Sequence, residues 1–69
     1  MKTILVNAKE IESCWETEDI CCVKTTTGKV WLCQKEYLLY GISTFNFIKA
    51  SFGKKELIEL PLAQKGKGD

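Results

Sequence analysis

The sequence predicts an all-β fold: a small five-stranded barrel of the SH3-like or OB-like kind with one short helical turn. Three observations carry that expectation. The run Ile20-Cys21-Cys22-Val23-Lys24 and the run Lys29-Val30-Trp31-Leu32-Cys33 flank Thr25-Thr26-Thr27-Gly28, which is the pattern of a β-hairpin. Turn signals recur at roughly ten-residue spacing along the rest of the chain, as they do in small sandwiches and barrels. With 69 residues there is material for one domain with a marginal core and no room for a cleft of enzyme size.

The elements follow in order. Thr3 to Val6 is apolar and β-branched, and weak alternation resumes at Ile11, Cys14 and Trp15, so the first strand is expected to bend around Asn7-Ala8. Glu16-Thr17-Glu18-Asp19 is a polar turn. Strands over Ile20–Thr25 and Lys29–Gln34 form the hairpin, and period-two alternation separates Cys21, Val23 and Thr25 from Ile20, Cys22 and Lys24. Gln34 to Tyr40 reads as a single helical turn closed by Gly41. Ile42 to Phe52 reads as a strand with Phe45 and Phe47 on one face. After Gly53-Lys54-Lys55, the segment Glu56–Leu60 reads as the last strand, which Pro61 stops. The expected core is Ile4, Val6, Ile11, Val23, Val30, Leu32, Phe45, Phe47, Leu57 and Leu60. A single domain over residues 1–64 is expected, with residues 65–69 as a flexible tail.

Composition narrows the chemistry. All ten basic residues are Lys, so the planar donor fork that reads guanine edges and clamps phosphates is missing. There is no His, the commonest general base and metal ligand. Both absences point away from catalysis and from sequence-specific DNA reading, and no catalytic residue is expected. A formal net charge of +1 is small for a counterion-release nucleic-acid binder. The charge is unevenly spread, however: Glu10, Glu12, Glu16, Glu18 and Asp19 make one segment acidic, while Lys49, Lys54, Lys55, Lys65 and Lys67 make the C-terminal third basic.

Cys14, Cys21, Cys22 and Cys33 have the spacing C-x6-C-C-x10-C, without a paired knuckle or a His to complete a zinc site. Adjacent Cys21 and Cys22 point to opposite faces of a strand and cannot converge on one ion. They are expected to be free thiols packed as small apolar groups, with no metal and no cofactor. The apolar run near the first residue is too short for a signal-peptide core or a membrane span. A cytoplasmic location with reduced cysteines is the expectation, with no membrane partner.

Two binding chemistries remain. Lys29, Trp31, Lys35, Tyr37, Tyr40 and Lys49 interleave cations with aromatic rings, as a platform for single-stranded bases does. Trp and Tyr beside an acidic turn equally suit protein binding, for which they are the usual anchors.

The stretch Glu16-Thr17-Glu18-Asp19-Ile20, followed by Gly28-Lys29-Val30-Trp31-Leu32 and Lys35, resembles a family of small uncharacterised β proteins encoded by phages and prophages. Their pattern is an acid-Thr-acid turn, an apolar strand, a Gly turn and a Trp-Ile/Leu-Pro-Lys-Ser sequence. Ile58-Glu59-Leu60-Pro61, Leu62-Ala63 and Lys65-Gly66 are similar to their closing strand and terminal turn. Cys33 stands where the family's Pro usually sits, Gln34-Lys35-Glu36 replaces Lys-Ser, and the family's closing Trp is absent. The resemblance implies a stoichiometric inhibitor or modulator of a bacterial host protein or nucleoprotein complex, of the anti-CRISPR or other anti-defence type, acting in the cytoplasm of the host cell. The expected partner-binding residues are Trp15, Glu16, Glu18 and Asp19 at the acidic end, with Trp31, Tyr37 and Tyr40 as anchors. Binding of single-stranded nucleic acid is the alternative, and an exposed edge strand makes a homodimer a further expectation.

Overall fold

The computed structural model describes residues 2–37 and 41–63. The described residues are mostly β, with strands β1 (Thr3–Asn7), β2 (Ile11–Glu16), β3 (Ile20–Thr25), β4 (Val30–Gln34), β5 (Glu36–Tyr37), β6 (Ile42–Ser43) and β7 (Leu57–Pro61), and the α-helix α1 (Thr44–Ser51). These strands form a β2-β3-β4 meander and two antiparallel pairs, β1-β7 and β5-β6. The described residues close no barrel, so the all-β class stands while the strands divide among three sheets.

The hairpin forms as its sequence dictates. β3 pairs with β4 in a register that sets Cys21 opposite Cys33, Cys22 opposite Leu32 and Val23 opposite Trp31. The loop closes with Thr25 N–H donating to Lys29 O at 2.9 Å and Gly28 N–H donating to Thr25 O at 3.0 Å. Gly28 takes φ of 92°, a left-handed conformation that a side chain disfavours. The expected bend after β1 is one turn of 3₁₀ helix over Ala8–Glu10, where the Asn7 side chain accepts from Lys9 N–H at 3.0 Å. Two more bonds fix that corner: Ala8 N–H donates to Glu56 O at 2.8 Å, and Thr26 N–H to Glu10 O at 2.8 Å.

The β7 end reaches the meander. Leu62 bridges Cys33, and Ala63 N–H donates to Leu32 O at 2.9 Å, so the chain after β7 lies against the outer edge of β4. Among the described residues, no strand pairs with the outer edge of β2.

Three expectations are corrected. The segment 42–52 is a two-residue strand followed by α1, because Ser43 caps it by accepting from Asn46 N–H at 3.1 Å. Thr44, Ile48 and Ser51 then fall on one buried face at helical spacing, which wins over the Phe45/Phe47 alternation. The helical turn expected at Gln34–Tyr40 is instead strand β5 at Glu36–Tyr37, with residues 38–40 outside the described residues. The core also differs: Val6, Ile11, Val23 and Leu60 are buried as expected, joined by Ala8, Cys21, Cys33, Ile48 and Ile58. Val30 and Leu32 lie on the outer face at 50% and 44% exposure, and Leu57 is 64% exposed beside buried Ile58. The proposed tail, residues 65–69, lies outside the described residues.

Candidate interaction surface

Alternation across the meander creates two unlike faces. Cys21, Val23 and Thr25 of β3 face the core together with Cys33 of β4 and Ile11 of β2, all of them buried. The opposite face carries Ser13 and Trp15 of β2, Ile20, Cys22 and Lys24 of β3, and Val30, Leu32 and Gln34 of β4. Its central row is Trp15, Cys22 and Leu32, directly paired across the strands. Trp15 at 41% and Leu32 at 44% exposure flank Cys22, which is 4% exposed. With Val30 and the half-buried Ile20 they make one contiguous apolar patch.

The acidic turn adjoins this patch at its Ile20 end and is held rigidly. Thr17 Oγ1 accepts from Asp19 N–H at 3.3 Å and Ile20 N–H at 3.1 Å, while Thr17 N–H donates to Ile20 O at 2.9 Å. From beyond β4, Lys35 straps the turn: its Nζ donates to Thr17 O at 2.9 Å and Glu18 O at 3.4 Å, and stands 3.7 Å from Glu16 Oε1. Lys35 thus offsets Glu16. The Glu18 and Asp19 side chains have no ion-pair partner among the described residues.

The residues expected to bind a partner therefore divide. Trp15 lies on the outer face of β2, Glu16, paired with Cys21, alternates to its other face, and Glu18 and Asp19 lie in the turn that follows. Trp31 lies on the core-facing side, half-buried against the core, with Lys29 Nζ 5.7 Å from its ring. Tyr37 packs its ring on Phe47 at 4.9 Å between centroids. Tyr40 lies outside the described residues. Among the described residues the Lys and aromatic positions have other engagements: Lys35 is held by the turn, and Lys49 sits 5.2 Å from the Phe45 ring. Sequence reasoning missed Leu32, Val30 and Lys24 on the outer face and the Lys35 strap. The first three were readable from the hairpin, because a loop closing at Thr25 and Lys29 sets Lys24 opposite Val30 and Cys22 opposite Leu32. No local pattern signals the strap, since it joins residues far apart in the chain.

The four cysteines are free. No group of three or more Cys, Asp or Glu among the described residues is arranged to hold a metal. Loss of hydration on burial pushes the Cys21 thiol up to about 12, with Cys33 adding to it, and pushes Cys33 up to about 11. Cys14 is raised as well, chiefly by burial, with Lys49 opposing the shift. Thiols held protonated in this way are poor nucleophiles and poor ligands.

An open groove of about 220 Å³ lies between β1 and the loop end of the hairpin. It is lined by Leu5, Asn7, Thr25, Thr27, Lys29 and Trp31 among others. No helix among the described residues is long and apolar enough to cross a membrane. Comparison of the chain with protein-family models, with curated proteins and with solved structures finds no match.

Proposed function

We propose that this chain is a non-catalytic binding protein that seats a bacterial host protein or nucleoprotein complex on its outer meander face and acidic turn, and so inhibits or modulates it. The observation that carries the reading is the pre-shaped turn at the edge of an exposed apolar row. Glu18 and Asp19 project from a backbone already fixed by Thr17 and Lys35, so docking them onto a basic site costs little ordering entropy. Trp15 and Leu32 beside them supply the apolar anchor that a charged contact alone lacks. Charge sets orientation and encounter rate while the ring and the leucine contribute affinity. An action of the anti-CRISPR or other anti-defence type, in the cytoplasm of a host cell, fits a surface of this chemistry and the phage-type resemblance. Affinity capture from bacterial host lysate tests the reading. Wild-type protein is expected to retain a specific protein that the combined variant Trp15→Ala, Glu18→Lys, Asp19→Lys does not.

One observation favours a second reading, single-stranded nucleic-acid binding. Lys29 over the Trp31 ring, beside the hydroxyls of Thr25 and Thr27 in the open groove, offers a stacking surface and a cation together. Tryptophan fluorescence titrated with oligonucleotides decides it. Salt-sensitive quenching at about micromolar concentration supports this reading, and no response up to about millimolar removes it.

A further inference from the structure

We infer that the outer face of the β2-β3-β4 meander is self-complementary and holds a second copy of this chain across a two-fold axis. This goes beyond the host-partner reading and does not depend on it, because it concerns the purified protein alone.

The two ends of the patch carry opposite charge. Lys24 stands at one end, in the row of Ser13 and Val30. Glu18 and Asp19 lie past the other end, beyond Ile20. Lys24, Glu18 and Asp19 have no ion-pair partner among the described residues of their own chain. The apolar row Trp15, Cys22, Leu32 lies between these ends, so opposite charges bracket an exposed apolar strip. From Lys24 to Ile20 is four residues, about 14 Å of strand.

A two-fold contact must bring each feature onto its own symmetry mate. For two sheets stacked face to face, the axis lies between them. If it ran along the strands, Lys24 would meet Lys24 of the second copy, and the acidic turns would meet each other. If it runs across the strands above Cys22, strand direction reverses and lateral order is kept. Trp15 then covers its counterpart, Leu32 covers its counterpart, and each Lys24 comes over the other copy's Ile20, one strand residue short of the Glu18-Asp19 turn and within reach of it for a lysine side chain. The second geometry pairs every charge that the first sets in repulsion, and it does so twice.

The footprint is small. Three strands about 4.8 Å apart and about 17 Å long cover roughly 240 Å², against about 800 Å² per partner in a standard interface, so the dimer is weak. Because the contact is isologous it closes at two copies. It also covers Trp15 and the acidic turn, so self-association and a host partner would compete for the same surface.

Sedimentation equilibrium of the full chain, with reductant present and up to about 1 mM protein, tests the inference. The wild type is expected to show a monomer–dimer equilibrium. Lys24→Glu alone, or Glu18→Lys with Asp19→Lys, should weaken it about tenfold by setting like charges opposite. The three changes together should restore it to within about threefold, whereas Leu57→Ser, on the exposed side of β7, should leave it unchanged. A wild type that stays monomeric throughout overturns the inference, as do species larger than a dimer or a dimer indifferent to the charge exchange. Circular dichroism of each variant establishes that a lost dimer is not a lost fold.

Discussion

Replacing Lys35 by Met removes the ammonium that straps the acidic turn while keeping most of the apolar stem. The structure sets the size of the effect. The ammonium donates to two carbonyls, at 2.9 and 3.4 Å, and lies 3.7 Å from the Glu16 carboxylate. A hydrogen bond from a charged donor contributes about 1.5–3 kcal/mol when sheltered, but this side chain is 38% exposed and water competes for it. The ion pair with an equally exposed Glu16 adds about 0–1 kcal/mol. A total near 1 kcal/mol follows, and for a domain of this size that lowers Tm by about 4–8 °C. Glu16→Gln, which removes only the ion pair, should cost less than half as much. Thermal melts followed by far-ultraviolet circular dichroism measure both, and amide exchange at Asp19 and Ile20 reports the turn directly. Added salt should erase the Glu16→Gln effect and leave most of the Lys35→Met effect, since the carbonyl bonds are less screened. If Glu16→Gln matches Lys35→Met, or if Lys35→Met leaves Tm and exchange unchanged, the strap does not hold the turn.

Three further predictions concern the thiols and the hairpin. Cys21 and Cys33 keep their protons to about 12 and 11 in the folded chain against an ordinary thiol value of 9.0, so the folded state binds more protons than the unfolded between these limits. Their stabilising contribution is therefore complete below pH 9 and is lost as pH rises through 11 and 12. Tm should fall across that range, and fall less in Cys21→Ala/Cys33→Ala than in wild type. In the same vein, a thiol reagent at neutral pH should reach partly exposed Cys14 first and Cys21, Cys22 and Cys33 only on unfolding, with equal rates at all four refuting their burial. Gly28→Ala should destabilise by about 1–2 kcal/mol, because φ of 92° disfavours a side chain, while a Cβ there would meet nothing within 4 Å. Denaturant melts read this, and a change below about 0.3 kcal/mol would contradict the turn geometry.

The hairpin was legible because its signals are local: β-branched runs, a glycine where the loop needs positive φ, and alternation that separates Cys21 and Val23 from Cys22 and Lys24. Elsewhere local signals competed. At Ile42–Phe52 the two phenylalanines mimic strand alternation, whereas the Ser43 cap and the spacing Thr44, Ile48, Ser51 encode a helix. β4 carries apolar side chains on both faces, so hydrophobicity alone could not tell that Trp31 and Cys33 point inward and Val30 and Leu32 outward. That choice follows from the loop register. Of the candidate site, the acidic turn and Trp15 were visible as a cluster in sequence. Trp31 belongs to the other face, and Lys35, which shapes the turn, is 18 residues away from Thr17 and is found only in three dimensions.

Whether the outer meander face and its acidic turn form the binding surface is measured by quantitative affinity capture from bacterial host lysate with three forms of the chain: wild type, the Trp15→Ala/Glu18→Lys/Asp19→Lys variant, and the off-face variant Leu57→Ser. One specific host protein or complex should be retained equally by wild type and Leu57→Ser and at least about tenfold less by the face variant, provided all three are folded. Equal retention by all three, or no specific host protein retained by wild type, contradicts this reading of the surface.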